Sequence, residues 1–260
     1  ALQSLKYSDD SMLLVLSADH VIQDVDAFHE AINIASNQAQ EGKLATFGIV
    51  PTDANTGYGY IKSSKNNTDG AYKVEEFVEK PDLPTAQTYL EQGNYLWNSG
   101  IFMFKASSFI DELTTYSSDI VKAVSVSIDK ATIDLGFIRL EKQAFESSPS
   151  DSIDYALMEK SNNVVVVPLN AQWNDIGSWS ALHDIGKKDN NGNVINGDVI
   201  ALETTNTYIK TDQHMVVTIG LDNLIVVDTP DATLIAAKDK LKHVKQVVEQ
   251  LQQKDRCEGQ

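Results

Sequence analysis

The sequence predicts an α/β domain followed by a small β-rich module and a terminal helix, on three observations. First, "SMLLVLSADH" (11–20), "DVDAFHEAINIASNQAQEG" (24–42) and "LATFGIV" (44–50) read as strand, helix and strand, and such a parallel crossover belongs to a sheet covered by helices. Second, "NVVVVPL" (163–169) is another strand apolar enough to be buried on both faces. Third, helical periodicity stops after about residue 192, and short apolar clusters (Val216–Ile219, Leu224–Val227, Thr233–Ala236) recur about every eight or nine residues. Two domains follow: residues 1–191 and residues 192–260.

Each element has a local reason. Residues 11–20 carry a strand-length apolar run that ends abruptly in polar residues, and the following helix places Phe28, Ala31, Ile32 and Ala35 on one face. "DVD" (24–26) stands where a helix needs a cap and a first-turn acid, so it is read as capping and not as a metal-binding D-x-D. "PTDANTGYGYIKSS" and "AYKVEEFVEKP" form an extended pair joined by the turn-rich "SKNNTDG" (64–70). "PTAQTYLEQG" (84–93) is a short helix opened by Pro84 and closed by Gly93, and "YLWNSGIFMFKA" (95–106) is a strand interrupted at Gly100. Helices are expected in "SSFIDELTTY", "SDIVKAV", "LEKQAFESS" and "SIDYALMEKS". The clusters after residue 192 suit either the coils of a β-solenoid or a meander. "LKHVKQVVEQLQQ" (241–253) is an amphipathic helix with Leu241, Val244, Val248 and Leu251 on one stripe, suited to packing on its own chain or to a homodimer contact.

Composition narrows the partners. A net charge of −16 over 260 residues repels nucleic acid and anionic membranes, while leaving room for a small phosphorylated ligand neutralised by a metal ion and a lysine or two. The single cysteine, Cys257, argues against a disulfide framework and fits a reducing compartment such as the cytoplasm. No apolar run reaches the roughly 20 residues that span a bilayer. The "MLLVL" near the start is too short, and too acidic on its N-terminal side, for a secretion signal.

Open α/β sheets bind ligands at the carboxyl ends of their strands. Asp19 follows one buried strand and Asp175, in "QWNDIGSW" (172–179), follows another. Two such acids suit Mg²⁺, which takes one or two carboxylates and keeps water and phosphate oxygens in its remaining positions; turn or cap acids are the plain alternative. In "FVEKP", Lys80 is fixed at a strand end by Pro81, with Glu79 beside it: a phosphate-neutralising lysine with a hydroxyl-binding acid, or a surface ion pair. "TGYGY" brackets Tyr58 with Gly57 and Gly59, as a hairpin turn or a close backbone approach to ligand requires. Asn98 and Ser99 are polar residues inside an apolar strand, which fits a ligand site or a bulge at Gly100. His20, next to Asp19, suits a structural hydrogen bond better than a ligand role, and the other histidines have no zinc spacing.

Taken in order, "LSADHVI", "TGYGYI", "FVEKP", "WNSGIF", "SIDYALMEKS" and "WNDIGSW" resemble the sugar-1-phosphate nucleotidyltransferases, most closely the bacterial mannose-1-phosphate guanylyltransferases. The resemblance extends through "NTYIKTD" and "LIVVDTPDATLIA" to the final helix. It implies a partial Rossmann-like nucleotidyltransferase sheet and the Mg²⁺-dependent reaction of GTP with mannose 1-phosphate to give GDP-mannose and pyrophosphate. Carried onto this chain, it makes Asp19 and Asp175 the metal ligands and Lys80 the phosphate-holding residue; Gly59, Glu79, Asn98 and Asp154 contact the sugar. The glycine-rich, arginine-bearing G-x-G-x-R loop that such proteins carry ahead of the metal-bearing strand has no counterpart here. "QLQQKDRCEGQ" resembles the linker to the isomerase module of the longer, bifunctional members. The expectation is a fragment that keeps the sugar-phosphate and metal sites but turns over little without that loop. A non-catalytic sugar-phosphate-binding or assembly module, and a transferase for another sugar such as glucose 1-phosphate, stay open at this point.

Overall fold

In the computed structural model, which describes residues 1–8 and 10–254, a short helix α1 (Leu2–Tyr7) precedes the expected strand–helix–strand unit. That unit consists of β1 (Met12–Val15), α2 (Val25–Gln40) and β3 (Leu44–Ile49), with a two-residue strand β2 (Val21–Ile22) before the helix. Asp24 caps α2 by accepting a hydrogen bond from the Ala27 N–H at 3.0 Å, so "DVD" is the capping segment the sequence suggests. Then follow β4 (Tyr60–Thr68), β5 (Ala71–Val78), α3 (Leu83–Gln92), β6 (Tyr95–Lys105) and α4 (Ala106–Asp129). A hairpin of β7 (Thr132–Asp134) and β8 (Phe137–Arg139), helix α5 (Lys142–Glu146), a π-helical turn (Asp154–Met158), β9 (Val164–Pro168) and β10 (Trp173–Asn174) complete this part.

Six strands form one mixed sheet in the order β1-β6-β3-β9-β5-β4. β3 and β9 are its parallel pair. β1 and β3 run the same way, as the crossover requires, but β6 lies antiparallel between them. Burial on both faces explains the uninterrupted "VVVV". Val165 and Val167 join Ala31, Ala35 and Phe47 in the cluster beneath α2, whereas Val164 and Val166 join Phe102, Leu113 and Leu157 on the opposite face.

Several local expectations need correction. "SKNNTDG" is not a loop: the strands run through most of it, and the turn is Asp69–Gly70, both at positive φ (50° and 90°), the two-residue geometry that matches strand twist. The two helices expected at "SSFIDELTTY" and "SDIVKAV" are both present, joined within α4 across a kink at Ser117, whose backbone is not helical (φ −149°). The Ser117 hydroxyl donates to the Ala156 carbonyl at 2.8 Å, tying that kink to the π-turn that replaces the expected helix in "SIDYALMEKS". "LEKQAFESS" yields only the five residues of α5. The β7–β8 hairpin escapes the sequence pattern because its apolar residues are exposed and carry no burial period.

The chain divides into two compact units. One takes Ala1–Ala18 and Ile22–Trp173; the other takes Asp19–Val21 and the chain from Asn174 onward. The second unit contains α6 (Trp179–Ile185), β11 (Val194–Asn196), β12 (Val199–Leu202), β13 (Tyr208–Thr211), β14 (Val216–Ile219), β15 (Leu224–Asp228), β16 (Thr233–Ala237), a 3₁₀ turn (Lys238–His243) and α7 (Val244–Gln253). Of the two arrangements left open, the solenoid is the one present. β11, β13 and β15 stack in parallel, as do β12 and β14. Val199 pairs with Val216 and Tyr208 with Ile225, seventeen residues apart in each case, so the spacing of eight or nine is half a coil. The antiparallel strand β16 then pairs with β15. Leu241 sits in the 3₁₀ turn ahead of α7, while Val244, Val248 and Leu251 line an apolar cavity with Val227 and Leu234, placing the predicted stripe against its own β-module. Cys257 and the rest of 255–260 lie outside the described residues.

Candidate active site

β5 ends at Val78, so Glu79 and Lys80 lie just beyond the pleat. Lys80 has φ 48°, in the left-handed region, directly before Pro81. A proline pushes its predecessor toward extended backbone, so this conformation is strained twice over and must be held by its surroundings. The Lys80 ammonium lies 3.2 Å from Glu79 Oε1; the lysine side chain is 62% exposed and the glutamate only 12%.

β6 brings Asn98 to the same place. Its backbone N–H donates to the Gly59 carbonyl at 2.8 Å. Its Nδ2 donates to Asp154 Oδ1 at 3.0 Å, and its Oδ1 accepts from the Gly100 N–H at 3.2 Å. A Cβ on Gly59 would meet Glu79 Oε2 and lie 3.3 Å from Asn98 Cβ, so a side chain there would displace the Glu79 carboxylate. Five residues expected from sequence therefore converge: Gly59, Glu79, Lys80, Asn98 and Asp154.

The electrostatics suit hydroxyl recognition beside a cation. Burial pushes the Glu79 carboxyl up; Lys80 offsets part of this, and the charges of Asp154 and Glu159 add to it. Burial likewise raises Asp154, against hydrogen bonds from Asn98 and Ser152. Partly desolvated carboxylates are strong acceptors for a ligand that brings its own donors. One participant escaped the sequence reading. Glu159 Oε1 accepts the Glu79 N–H at 3.3 Å. In an α-helix Glu159 would sit about 140° around the axis from Asp154. In the π-turn the Glu159 N–H donates to the Asp154 carbonyl at 3.0 Å instead, and no hydrophobic period announces that register.

Asp19 and Asp175 belong to the second unit. Asp19 lies in an exposed bend, four residues after β1 rather than at its end, and two residues before β2. Asp175 follows β10, which pairs with β2, so one short ribbon carries both acids. Asp175 Oδ1 accepts the Gly177 N–H at 3.2 Å, and a Cβ on Gly177 would lie 3.0 Å from Oδ2, so a side chain at 177 would crowd the carboxylate. This two-acid donor set fits Mg²⁺; among the described residues there is no group of three or more acids, histidines or cysteines of the kind a zinc site needs. The bracketing tryptophans divide their packing. Trp173 meets Tyr58 edge-on at 5.6 Å in the first unit, and Trp179 lies 6.0 Å from Tyr208 in the second.

Residues 1–192 match the nucleotidyl transferase family along their whole length. The chain belongs to that family. Beyond the nucleotidyl transferase part, residues 197–251 match the mannose-phosphate isomerase/GMP-like β-helix domain, in agreement with the solenoid. Among curated relatives, a mannose-1-phosphate guanylyltransferase of Salmonella muenchen is 50% identical over 96% of this chain and 53% of its own length. The xanthan biosynthesis protein XanB of Xanthomonas campestris pv. campestris (strain B100) is 49% identical over 100% of this chain and 55% of its own. The chain thus spans about half the length of the curated relatives it matches. A solved structure from Thermus thermophilus, described as mannose-1-phosphate geranyltransferase, superposes with a TM-score of 0.79 at 32% identity, covering 93% of this chain and 70% of that one.

Proposed function

We propose that this nucleotidyl transferase chain is the sugar-phosphate-binding and metal-binding part of a mannose-1-phosphate guanylyltransferase. The observation that carries the reading is the convergence of Glu79, Lys80, Asn98 and Asp154 around the close backbone approach at Gly59; the names of the relatives supply the sugar and the base. Lys80 holds the phosphate of mannose 1-phosphate. Glu79 and Asp154 accept hydrogen bonds from sugar hydroxyls, and Asn98 fixes the Asp154 carboxylate. A phosphate oxygen of the sugar attacks the α-phosphorus of GTP; the bond to the β-phosphate breaks, and pyrophosphate leaves with that electron pair. The protein's task is to align two anions and offset their repulsion. Asp19 and Asp175 would hold Mg²⁺, which when bound neutralises phosphate charge. The likeness to a xanthan biosynthesis protein further supports a place in supplying polysaccharide precursors, and the single cysteine fits the cytoplasm.

Calorimetric titration tests the reading. Mannose 1-phosphate should bind this chain, more tightly than glucose 1-phosphate. Lys80→Ala should weaken binding at least about tenfold, the scale of one lost charge-assisted contact to phosphate. Mg²⁺ should enhance binding in the wild type but not in Asp175→Ala. Equal affinity for glucose 1-phosphate would remove the assignment of the sugar, and no binding of either would remove the site.

A further inference from the structure

Lys80 is the strained residue of the cluster, and something must hold it. Glu79 pairs with its ammonium, but the backbone on either side gives no support: Pro81 favours another region, and β5 has already ended at Val78. What does reach the step is the Glu159 carboxylate, on the N–H of Glu79. Glu159 arrives through the π-turn, whose i to i+5 bond from the Glu159 N–H to the Asp154 carbonyl sets the two carboxylates beside the Glu79–Lys80 step. The turn itself is pinned: Leu157 and Met158 are buried, and the Ala156 carbonyl accepts from Ser117 of α4.

We infer that Glu159 is a positioning residue for Lys80: by accepting the Glu79 N–H it holds the chain reversal that aims the ammonium at the ligand's phosphate. The inference rests on the function proposed above and adds a residue to it. The π-turn then has a purpose, since one turn serves both ends of the ligand: Asp154 at the sugar and Glu159, through the backbone, at the phosphate. Glu159 touches no ligand in this arrangement.

Glu159 is exposed, so its substitution should leave folding intact. Glu159→Gln retains an oxygen acceptor without the charge; Glu159→Ala removes the acceptor. Two measurements separate the outcomes. In hydrogen exchange, the Glu79 amide should lose protection in Glu159→Ala and regain most of it in Glu159→Gln. In calorimetry, Glu159→Ala should weaken mannose 1-phosphate binding about tenfold, with Glu159→Gln within about threefold of wild type. In a Lys80→Ala background the alanine substitution should cost nothing further, because a residue that acts through Lys80 has nothing left to position. An unchanged affinity in Glu159→Ala, failure of glutamine to rescue, or a full further loss in the Lys80→Ala background overturns the inference. Should the wild type bind no mannose 1-phosphate, the functional reading falls by itself. Glu79 amide protection then decides the positioning claim, and an exchange rate unaffected by Glu159→Ala overturns it.

Discussion

The Asp154 carboxylate shows how a group proposed to bind ligand opposes folding. Burial raises it, so the folded state keeps its proton to higher pH than the unfolded state does. The sign follows from linkage: stability falls as pH rises from the ordinary aspartate value of 3.8 through the elevated folded value. Asp10, Asp82 and Asp228 are lowered by their hydrogen bonds and contribute the opposite slope, so the contribution of Asp154 has to be read as a difference. Asp154→Asn should therefore be as stable as wild type at low pH and more stable above this window, while binding mannose 1-phosphate more weakly. Urea unfolding from about pH 3.5 to about 7.5, subtracted between the two proteins, checks it; a pH-independent difference would contradict the assignment. Gly59, Glu79, Lys80 and Asn98 were legible because each lies in a short segment whose residue types conflict with an ordinary strand or helix, whereas Asp154, in a segment that reads as a plain helix, was reached only through the family resemblance. Glu159 was not legible, because its role depends on a helical register that spacing does not reveal.

At the scale of elements, the solenoid is held by polar side chains inside its coils as much as by its apolar stack. Asn193 is 1% exposed and fully engaged. Its Nδ2 donates to the Thr204 carbonyl at 2.7 Å and to Asp189 Oδ2 at 3.2 Å, and its Oδ1 accepts the Thr207 N–H at 3.0 Å. Asn193→Ala would strand a buried carbonyl and a buried N–H at once, each worth about 1–3 kcal/mol when left unpaired. The expected result is a loss of that order in the unfolding free energy of the second unit, with mannose 1-phosphate affinity unchanged. Such contacts explain why the sequence left solenoid and meander undecided. Apolar clusters of four or five residues recur in both, and only the pairing of Val199 with Val216 and of Tyr208 with Ile225 distinguishes them. The first sheet was easier to read. Strands buried on both faces, such as "VVVV", contrast sharply with the amphipathic α2, although the insertion of β6 between β1 and β3 depends on long-range pairing that no local pattern specifies.

For the molecule as a whole, the packing of the tryptophans bears on how it unfolds. Trp97 and Trp173 belong to clusters of the first unit, and Trp179 packs with Val194, Tyr208, Ile225 and Val227 in the second. Among the described residues, none of the hydrophobic clusters combines members from both units. Cores that are separate need not melt together, so one unfolding free energy should not describe the chain. Ile225 is fully buried in the second core, and Ile225→Ala should cost that unit about 2–5 kcal/mol through lost burial and the cavity left behind. In guanidinium titrations followed by tryptophan fluorescence, the substitution should move one transition to lower denaturant and leave the other in place. Trp179→Phe should remove most of the signal of the shifted transition while sparing the one reported by Trp97 and Trp173. Without Mg²⁺, mannose 1-phosphate should raise only the midpoint of the transition that Ile225→Ala leaves alone, because the Lys80 cluster lies in the first unit. A single transition that shifts as a whole in Ile225→Ala would mean that the two cores fold as one cooperative body.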